Sequence, residues 1–362
     1  MKRENLKQIK EGKELDKANP VMFAATNSGR GFYSFYPSVF EGSEIRKRYI
    51  IKGGPGTGKS SFLRGVAEDA AKRGMRVEEY RCSSDPTSLD GVVLDGVIAL
   101  LDGTAPHLAD TEIPGARDEI VNLGAFWDAE ALSRHYNDIV AYGALKSNAY
   151  RRGYRYLSAA MEVDAACAAL VLPSVREEKL RAAARRKLAS IPDGTGASIK
   201  AGIADSIGMR GRVRLDSYEK EAKSLYVVDD YYGTGVLFLS ALIDEAQRKG
   251  LSMRISYCPV NPELPDALLL SESGVGFVLG EYTEREPEGR VNMKRFVDAD
   301  ALTPVKLEYR ASRRIYDSLV DAATEALREA GRYHMELERI YSACMDFDAE
   351  KQFLREFCKK IN

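Results

Sequence analysis

Residues 53–60 read Gly53-Gly54-Pro55-Gly56-Thr57-Gly58-Lys59-Ser60. This is the pattern G-x-x-x-x-G-K-[ST], a loop whose backbone N–H groups can close around phosphate oxygens because its glycines carry no Cβ. A loop of this kind works only between a buried strand and the N-terminus of a helix, so it constrains the fold as well as the chemistry. Both flanks comply. Tyr49-Ile50-Ile51 is a short apolar run suited to a buried strand, while Phe62, Leu63, Val66, Ala67, Ala70 and Ala71 recur at helical spacing until Gly74. The spacing therefore predicts strand, phosphate loop and helix in succession. The loop backbone (Gly54, Pro55, Gly56, Thr57, Gly58), with Lys59, Ser60 and Ser61, forms the expected cradle. The Lys59 ammonium suits the β- and γ-phosphates, and the Ser60 hydroxyl suits Mg²⁺.

A chain of 362 residues has room for two domains with cores of their own. Its net charge of −1, with 30% charged residues, is an ordinary balance that gives no support to a nucleic-acid partner. The five cysteines (Cys82, Cys167, Cys258, Cys344, Cys358) are scattered without C-x-x-C spacing, which predicts reduced thiols and neither a disulfide framework nor a zinc site. Met1-Lys2-Arg3-Glu4-Asn5-Leu6 leads into more charge with no apolar stretch, and no membrane span is expected. Together these readings predict a cytoplasmic protein.

The sequence repeats itself. Tyr49-Ile50-Ile51 and Gly56-Thr57-Gly58 return as Tyr226-Val227-Val228 and Gly233-Thr234-Gly235, and Lys72-Arg73-Gly74 as Arg248-Lys249-Gly250. Cys82, Asp85-Pro86 and Asp90 return as Cys258, Asn261-Pro262 and Asp266. The segment 121–132 lies over 291–302, with Phe126/Phe296 and Asp128/Asp298 matched. The expected organisation is a nucleotide-binding domain at 20–190, a linker at about 191–200 and a second copy at 200–362. The second copy keeps the framework and loses the chemistry. It has Asp229, Asp230, Tyr231 and Tyr232 where the first has Lys52, Gly53, Gly54 and Pro55, and Val236 and Leu237 replace Lys59 and Ser60. Carboxylates facing phosphates without the lysine should abolish phosphate binding there.

Positions that change in step with Lys59 are candidates for function. Asp102 ends the apolar run Val97-Ile98-Ala99-Leu100-Leu101, where a carboxylate at a strand tip can hold magnesium through water; its counterpart falls near Gly280. It could also be a turn residue before Gly103. His107, facing Gly280-Glu281-Tyr282-Thr283-Glu284-Arg285 in the second copy, is a candidate for sensing the γ-phosphate or orienting a water, or a simple loop hydrogen-bonder. Glu119, after Asp118, is a candidate base for water activation, or part of an acidic helix start. The loop Cys82-Ser83-Ser84-Asp85 should lie near strand tips and could meet a substrate or cap a turn. Helices are expected from about Ala129 to Ala189 and from about Ala311 to Lys360. The basic groups Arg151, Arg152 and Arg155 and the run Arg176–Lys187 read as solvated faces or a partner surface.

These motifs give the chain a resemblance. Gly-Gly-Pro-Gly-Thr-Gly-Lys-Ser at 53–60, Cys-Ser-Ser-Asp at 82–85, Ser-Leu-Asp-Gly-Val-Val at 88–93, Leu-Leu-Asp-Gly-Thr-Ala-Pro-His at 100–107 and Gly-Phe-Tyr-Ser-Phe at 31–35 are similar to an uncharacterised bacterial family of tandem P-loop NTPases. Its members are described as ATPases or nucleotide kinases. The resemblance covers nearly the whole chain and implies an α/β fold. In typical members the second loop also works, and this sequence departs from that at Asp230, Val236 and Leu237. The expected architecture is two tandem P-loop units, each a mostly parallel sheet flanked by helices, with helical hairpin elaborations. The expected activity is Mg²⁺-dependent hydrolysis of ATP at Lys59, Ser60 and Asp102. GTP is the lesser choice because no N-K-x-D guanine reader is present. The alternatives are a small-molecule or nucleotide kinase using the 83–90 loop as acceptor site, or a non-hydrolysing nucleotide sensor. The second copy would regulate the first or bind a protein partner.

Overall fold

The computed structural model describes residues 20–107, 109–196, 198–280 and 285–361. In chain order the first repeat contains β1 (Val21–Phe23), β2 (Ala25–Ser28), β3 (Gly31–Ser34), α1 (Tyr36–Phe40), β4 (Lys47–Lys52) and α2 (Lys59–Lys72). It continues with β5 (Val77–Arg81), β6 (Leu89–Leu94), β7 (Ile98–Asp102), β8 (Asp118–Asn122), α3 (Ala129–Arg134), α4 (Tyr136–Val171) and α5 (Glu177–Leu188). The second repeat opens with β9 (Ile199–Gly202), β10 (Asp205–Gly208), β11 (Gly211–Arg214), α6 (Ser217–Glu221), β12 (Ser224–Val228) and α7 (Gly235–Arg248). It ends with β13 (Met253–Tyr257), β14 (Pro265–Leu270), β15 (Val275–Leu279), β16 (Gly289–Val291), α8 (Ala299–Leu302), α9 (Lys306–Ser342) and α10 (Phe347–Lys360). The repeats agree element for element. The N-terminal residues 1–19 and the loop residues 281–284 lie outside the described residues.

Each repeat builds a six-stranded sheet with the same order, β1-β5-β6-β7-β4-β8 in one and β9-β13-β14-β15-β12-β16 in the other. The sheets are mixed, but most strands share one direction as expected: in the second, β9, β13, β15, β12 and β16 run one way and only β14 runs against them. β4 runs parallel to β7 and β8, but β5–β6 and β6–β7 are antiparallel. The reason is local. A parallel crossover needs a dozen or more residues, whereas β6 and β7 are joined by Asp95-Gly96, both at positive φ (48° and 73°), with Val97 N–H donating to the Leu94 carbonyl. That Asp-Gly pair is a strong hairpin signal, and it dictates the antiparallel turn.

Among the described residues the chain forms two compact units that interleave the sequence repeats: one comprises 20–22, 40–142 and 334–361, the other 23–39 and 143–333. The contiguous ranges 20–190 and 200–362 are thus a division of the sequence and not of the contacts. In the first unit the apolar face of α2 (Phe62, Leu63, Val66, Ala67, Ala70) packs on the sheet with Ile51, Val92 and Leu100, and Phe357 of α10 and Ile361 just after it cover it. Phe62 stacks with Phe353 at 5.9 Å between centroids. In the second unit α5 does the same for α7, burying Leu180, Ala184 and Leu188 beside Phe238 and Leu242. Each six-stranded sheet is therefore finished by the last helix of the other repeat. The anchoring bonds repeat as well: Asp346 N–H donates to Phe126 O at 2.8 Å, and Arg176 N–H to Phe296 O at 2.7 Å.

The expected helical hairpins are corrected by the same exchange. Each repeat has one long helix, and the shorter helix after it packs on the other repeat's sheet. Within the second unit, α4 and α9 pack through Leu157, Ala160, Ala323 and Leu327, with Gly153 giving room for Leu327. The stretch Tyr136–Ser174 also contains an 18-residue window of mean hydropathy 1.4, long and apolar enough by length and composition to cross a membrane. This corrects the expectation that no such stretch exists, because a run of alanines escapes a search for large apolar residues.

The first sheet also buries a charge. Arg48 on β4 is fully enclosed and bonds both carboxylate oxygens of Asp118 at 3.0 Å, with Glu41 at 2.8 Å and the Asp110 carbonyl at 3.0 Å. Burial alone would raise the Asp118 pKa, but hydrogen bonds from Arg117, Arg48 and the Ile113 and Glu112 amides outweigh it and hold the carboxyl far below the usual range. Asp118→Asn should cost about 3–5 kcal/mol in urea unfolding at pH 7, as expected when a buried pair loses one charge. A carboxyl depressed in the folded state stabilises above its unfolded pKa and stops doing so as pH falls. The deficit of the variant should therefore shrink below about pH 4.

Candidate functional site

The loop between β4 and α2 turns on two glycines in the left-handed region, Gly56 (φ 70°) and Gly58 (φ 78°), where side chains are strained. Gly58 is also the residue before the first turn of α2, so the amides of that turn are directed at the loop interior. Thr57 is buried and donates to the Gly54 carbonyl at 2.9 Å, closing the loop from within. The Lys59 ammonium donates to the Gly54 and Gly53 carbonyls at 2.7 and 3.1 Å and lies 3.7 Å from the Asp102 carboxylate. Ser60 Oγ accepts from the Leu89 amide at 2.9 Å, tying the loop to β6, and Ser61 is exposed.

Asp102 is at the tip of β7, its backbone paired with Ile51. Its Oδ1 accepts from the Thr104 amide at 2.8 Å and from the Thr104 hydroxyl. The loop beyond it is pinned by Lys52, which donates to the Gly103 and Ala109 carbonyls at 2.7 Å each. His107 is buried, with its Nε2 3.2 Å from Asp90 Oδ2. Burial raises the Asp90 pKa, and His107 pulls against that; Asp102 and Lys59 are close enough to act on the same carboxyl. The structure thus brings Lys59, Ser60, Asp102, His107 and Asp90 to one edge of the sheet.

Glu119 is not among them. It pairs in register with Tyr49, three residues before the end of β4, and bonds Lys47 near the opposite edge. At about 3.3 Å per residue this is roughly 10 Å from the loop. Nor does Asp118 start a helix, since it begins a strand and serves Arg48. In the 82–88 loop, Asp85 accepts from the Thr87 amide at 3.2 Å and its hydroxyl at 2.9 Å, forming a turn.

The second unit shows the same frame with different groups. Its loop carries Gly233 at φ 74° in the place of Gly56. Gly280 N–H donates to Val228 O at 2.9 Å, as Gly103 does to Ile51, which makes Leu279 the true counterpart of Asp102. The Asp230 carboxylate accepts from the Gly235 amide at 3.3 Å, at the start of α7. A methyl on Gly235 would lie 2.2 Å from Leu279 Cδ1. Tyr231 and Tyr232 join an apolar cluster with Val171, Val297, Leu302 and Tyr309. Burial raises the Asp230 pKa, against the pull of that amide. A carboxylate and a leucine of the chain itself thus fill this loop. The 281–284 segment compared with the His107 loop lies outside the described residues.

Two residues were missed in the sequence. Asp90 is matched by Asp266 in the second repeat, so it does not change in step with Lys59, yet its partner differs: His107 here, Arg214 at 3.6 Å in the second unit. Glu350 on α10 is buried against the loop, and a methyl on Gly58 would meet its carboxylate at 2.6 Å. Its counterpart on α5 is the buried Leu180. The pairing of α5 with α10, spaced like Phe126 and Phe296, carries that signal in the sequence.

Ser60 and Asp102 are hard oxygen donors of the kind Mg²⁺ takes. Among the described residues no group of three or more His, Cys, Asp or Glu side chains could hold a metal ion. An ion here would be completed by phosphate oxygens and water, which is how Mg²⁺ is usually held. Compared with known proteins, the chain matches no family model, no curated protein and no solved structure.

Burial pushes the Glu350 carboxyl up, against a weaker pull from Lys351. An acid with a raised folded pKa costs stability as pH rises past its unfolded value of about 4.3. Glu350→Leu should stabilise the protein by about 1–3 kcal/mol at pH 7 and by less at pH 4, measured by urea unfolding.

Proposed function

We propose that the protein binds Mg²⁺-ATP at the 53–60 loop and hydrolyses it to ADP and phosphate, with the second repeat acting as a regulatory or partner-binding pseudo-domain. One observation carries this reading. The Lys59 ammonium sits over a loop turned by two left-handed glycines, within 3.7 Å of a carboxylate at the neighbouring strand tip. Without a ligand the ammonium rests on the loop carbonyls of Gly53 and Gly54; a triphosphate offers it stronger, charged acceptors.

In this account the amides from Gly54 to Ser60 and the positive end of the α2 dipole hold the β- and γ-phosphates. Lys59 follows charge as it builds on the bridging and terminal oxygens. Ser60 and Asp102 would hold the magnesium ion, which supplies charge neutralisation between the β- and γ-phosphates. A water adds to the γ-phosphorus, the bond to the ADP oxygen breaks, and the proton of the water passes to the His107 imidazole. Asp90, 3.2 Å away, orients that ring. This dyad replaces Glu119 as the acid–base element of the reading.

With ATP at 100 times its Kd, the protein should gain about 2.7 kcal/mol of unfolding free energy. Lys59→Ala should remove that gain and the phosphate release that accompanies it, in a thermal-shift and phosphate-release assay run together. His107→Ala should keep the gain and lose turnover. A full shift in Lys59→Ala contradicts the site.

A further inference from the structure

Beside the phosphate loop the first unit has a cleft of about 800 Å³, where the segment after β8 meets the start of α10. Phe126, Trp127, Ala131, Met345, Asp346 and Phe347 line it. Because β8 is parallel to β4, this cleft opens at the same sheet edge as the loop, where ligands of open α/β sheets sit. Tyr341 lies against both Trp127 and Gly54. The Tyr341 ring lies 6.0 Å from the Trp127 ring, and a methyl on Gly54 would meet Tyr341 Cε1 at 2.8 Å. The cleft is open to solvent, and its walls combine aromatic faces with carboxylates.

The second unit supplies the comparison. Its equivalent of Trp127 is Val297, matched by the bridges Trp127–Met345 and Val175–Val297. Its equivalent of Asp346 is Arg176, which pairs with Asp298 at 3.0 Å, and Lys179 donates to the Arg295 carbonyl at 2.8 Å. The unit whose loop lost its lysine has thus lost the flat aromatic wall and tied an arginine across the same place. In the first unit the position holds an acid, so no such tie forms with Asp128.

We infer that this cleft receives the base of the nucleotide, stacked on Trp127, so that the site takes a nucleoside triphosphate and not polyphosphate alone. The inference rests on phosphate binding at Lys59 and adds the base-recognition half of the site. Base–aromatic stacking is sequence-tolerant and strong enough to set affinity.

Trp127 is the only tryptophan in the chain, so its emission reports on the cleft. The full-length protein would be titrated, with Mg²⁺, against ATP and against inorganic tripolyphosphate, following tryptophan emission and melting temperature. Both ligands should raise the melting temperature through Lys59, and only ATP should change the emission. Trp127→Ala should weaken ATP binding about 5- to 150-fold and leave tripolyphosphate binding unchanged. Asp346→Arg, which copies Arg176 and can pair with Asp128, should do the same and retains the tryptophan, so it serves if the alanine variant fails to fold. ATP binding with unmoved emission, or wild-type ATP affinity in either folded variant, overturns the base site and leaves the phosphate site standing. Loss of Lys59-dependent binding for both ligands overturns the phosphate site and this inference with it.

Discussion

Two left-handed glycines, Gly56 and Gly58, let the chain leave β4, reverse, and enter α2 with its first amides pointing into the loop. Everything proposed for the first unit depends on that turn. A side chain at Gly58 would be strained by its φ of 78° and would also meet the Glu350 carboxylate. The turn places Lys59 where it can reach the loop carbonyls and Asp102, and it ties Ser60 to β6. The sheet supplies the rest by register: Ile51 opposite Asp102 brings the carboxylate to the same edge.

The repeats are a comparison made within one chain. Both keep the strand order, the turning glycine at Gly56 and Gly233, and the buried aspartates Asp90 and Asp266. Around that frame the second unit has Val236 for Lys59, Leu237 for Ser60, Leu279 for Asp102, Val297 for Trp127 and Leu180 for Glu350. The lysine, serine and two acids among them give way to apolar side chains, and Asp230 accepts from the Gly235 amide at the helix start. The reciprocal packing of α5 and α10 means that neither sheet is completed by its own repeat alone. Both halves are therefore needed for the fold, which gives a physical reason for the second to persist after its loop changed.

Much of this was legible in the residues. The strand at Tyr49-Ile50-Ile51, the helix ending at Gly74 and the carboxylate at the tip of the 97–101 run all follow from apolar period and stop signals, and the duplication placed each in the second half. The reversal of β6 within an otherwise parallel set was not read, although Asp95-Gly96 announced the hairpin that causes it. Glu119 shows a second limit. Its type suits a base, but only strand register reveals that it belongs with Lys47 at the other edge. The partners of His107 and Gly58, namely Asp90 and Glu350, are distant in sequence, and periodicity carries no information about such contacts. Alignment of the two final helices would have found Glu350, because it is the one acid at a position the other repeat fills with leucine.

The central claim is an asymmetry between two loops of one ancestry. Its most direct measurement is the calorimetric stoichiometry of Mg²⁺-ATP on the intact chain. One nucleotide per chain agrees with a phosphate cradle at 53–60 and a self-filled loop at 229–235. Two nucleotides per chain, or one that survives in a chain whose first loop has been disabled, would contradict it.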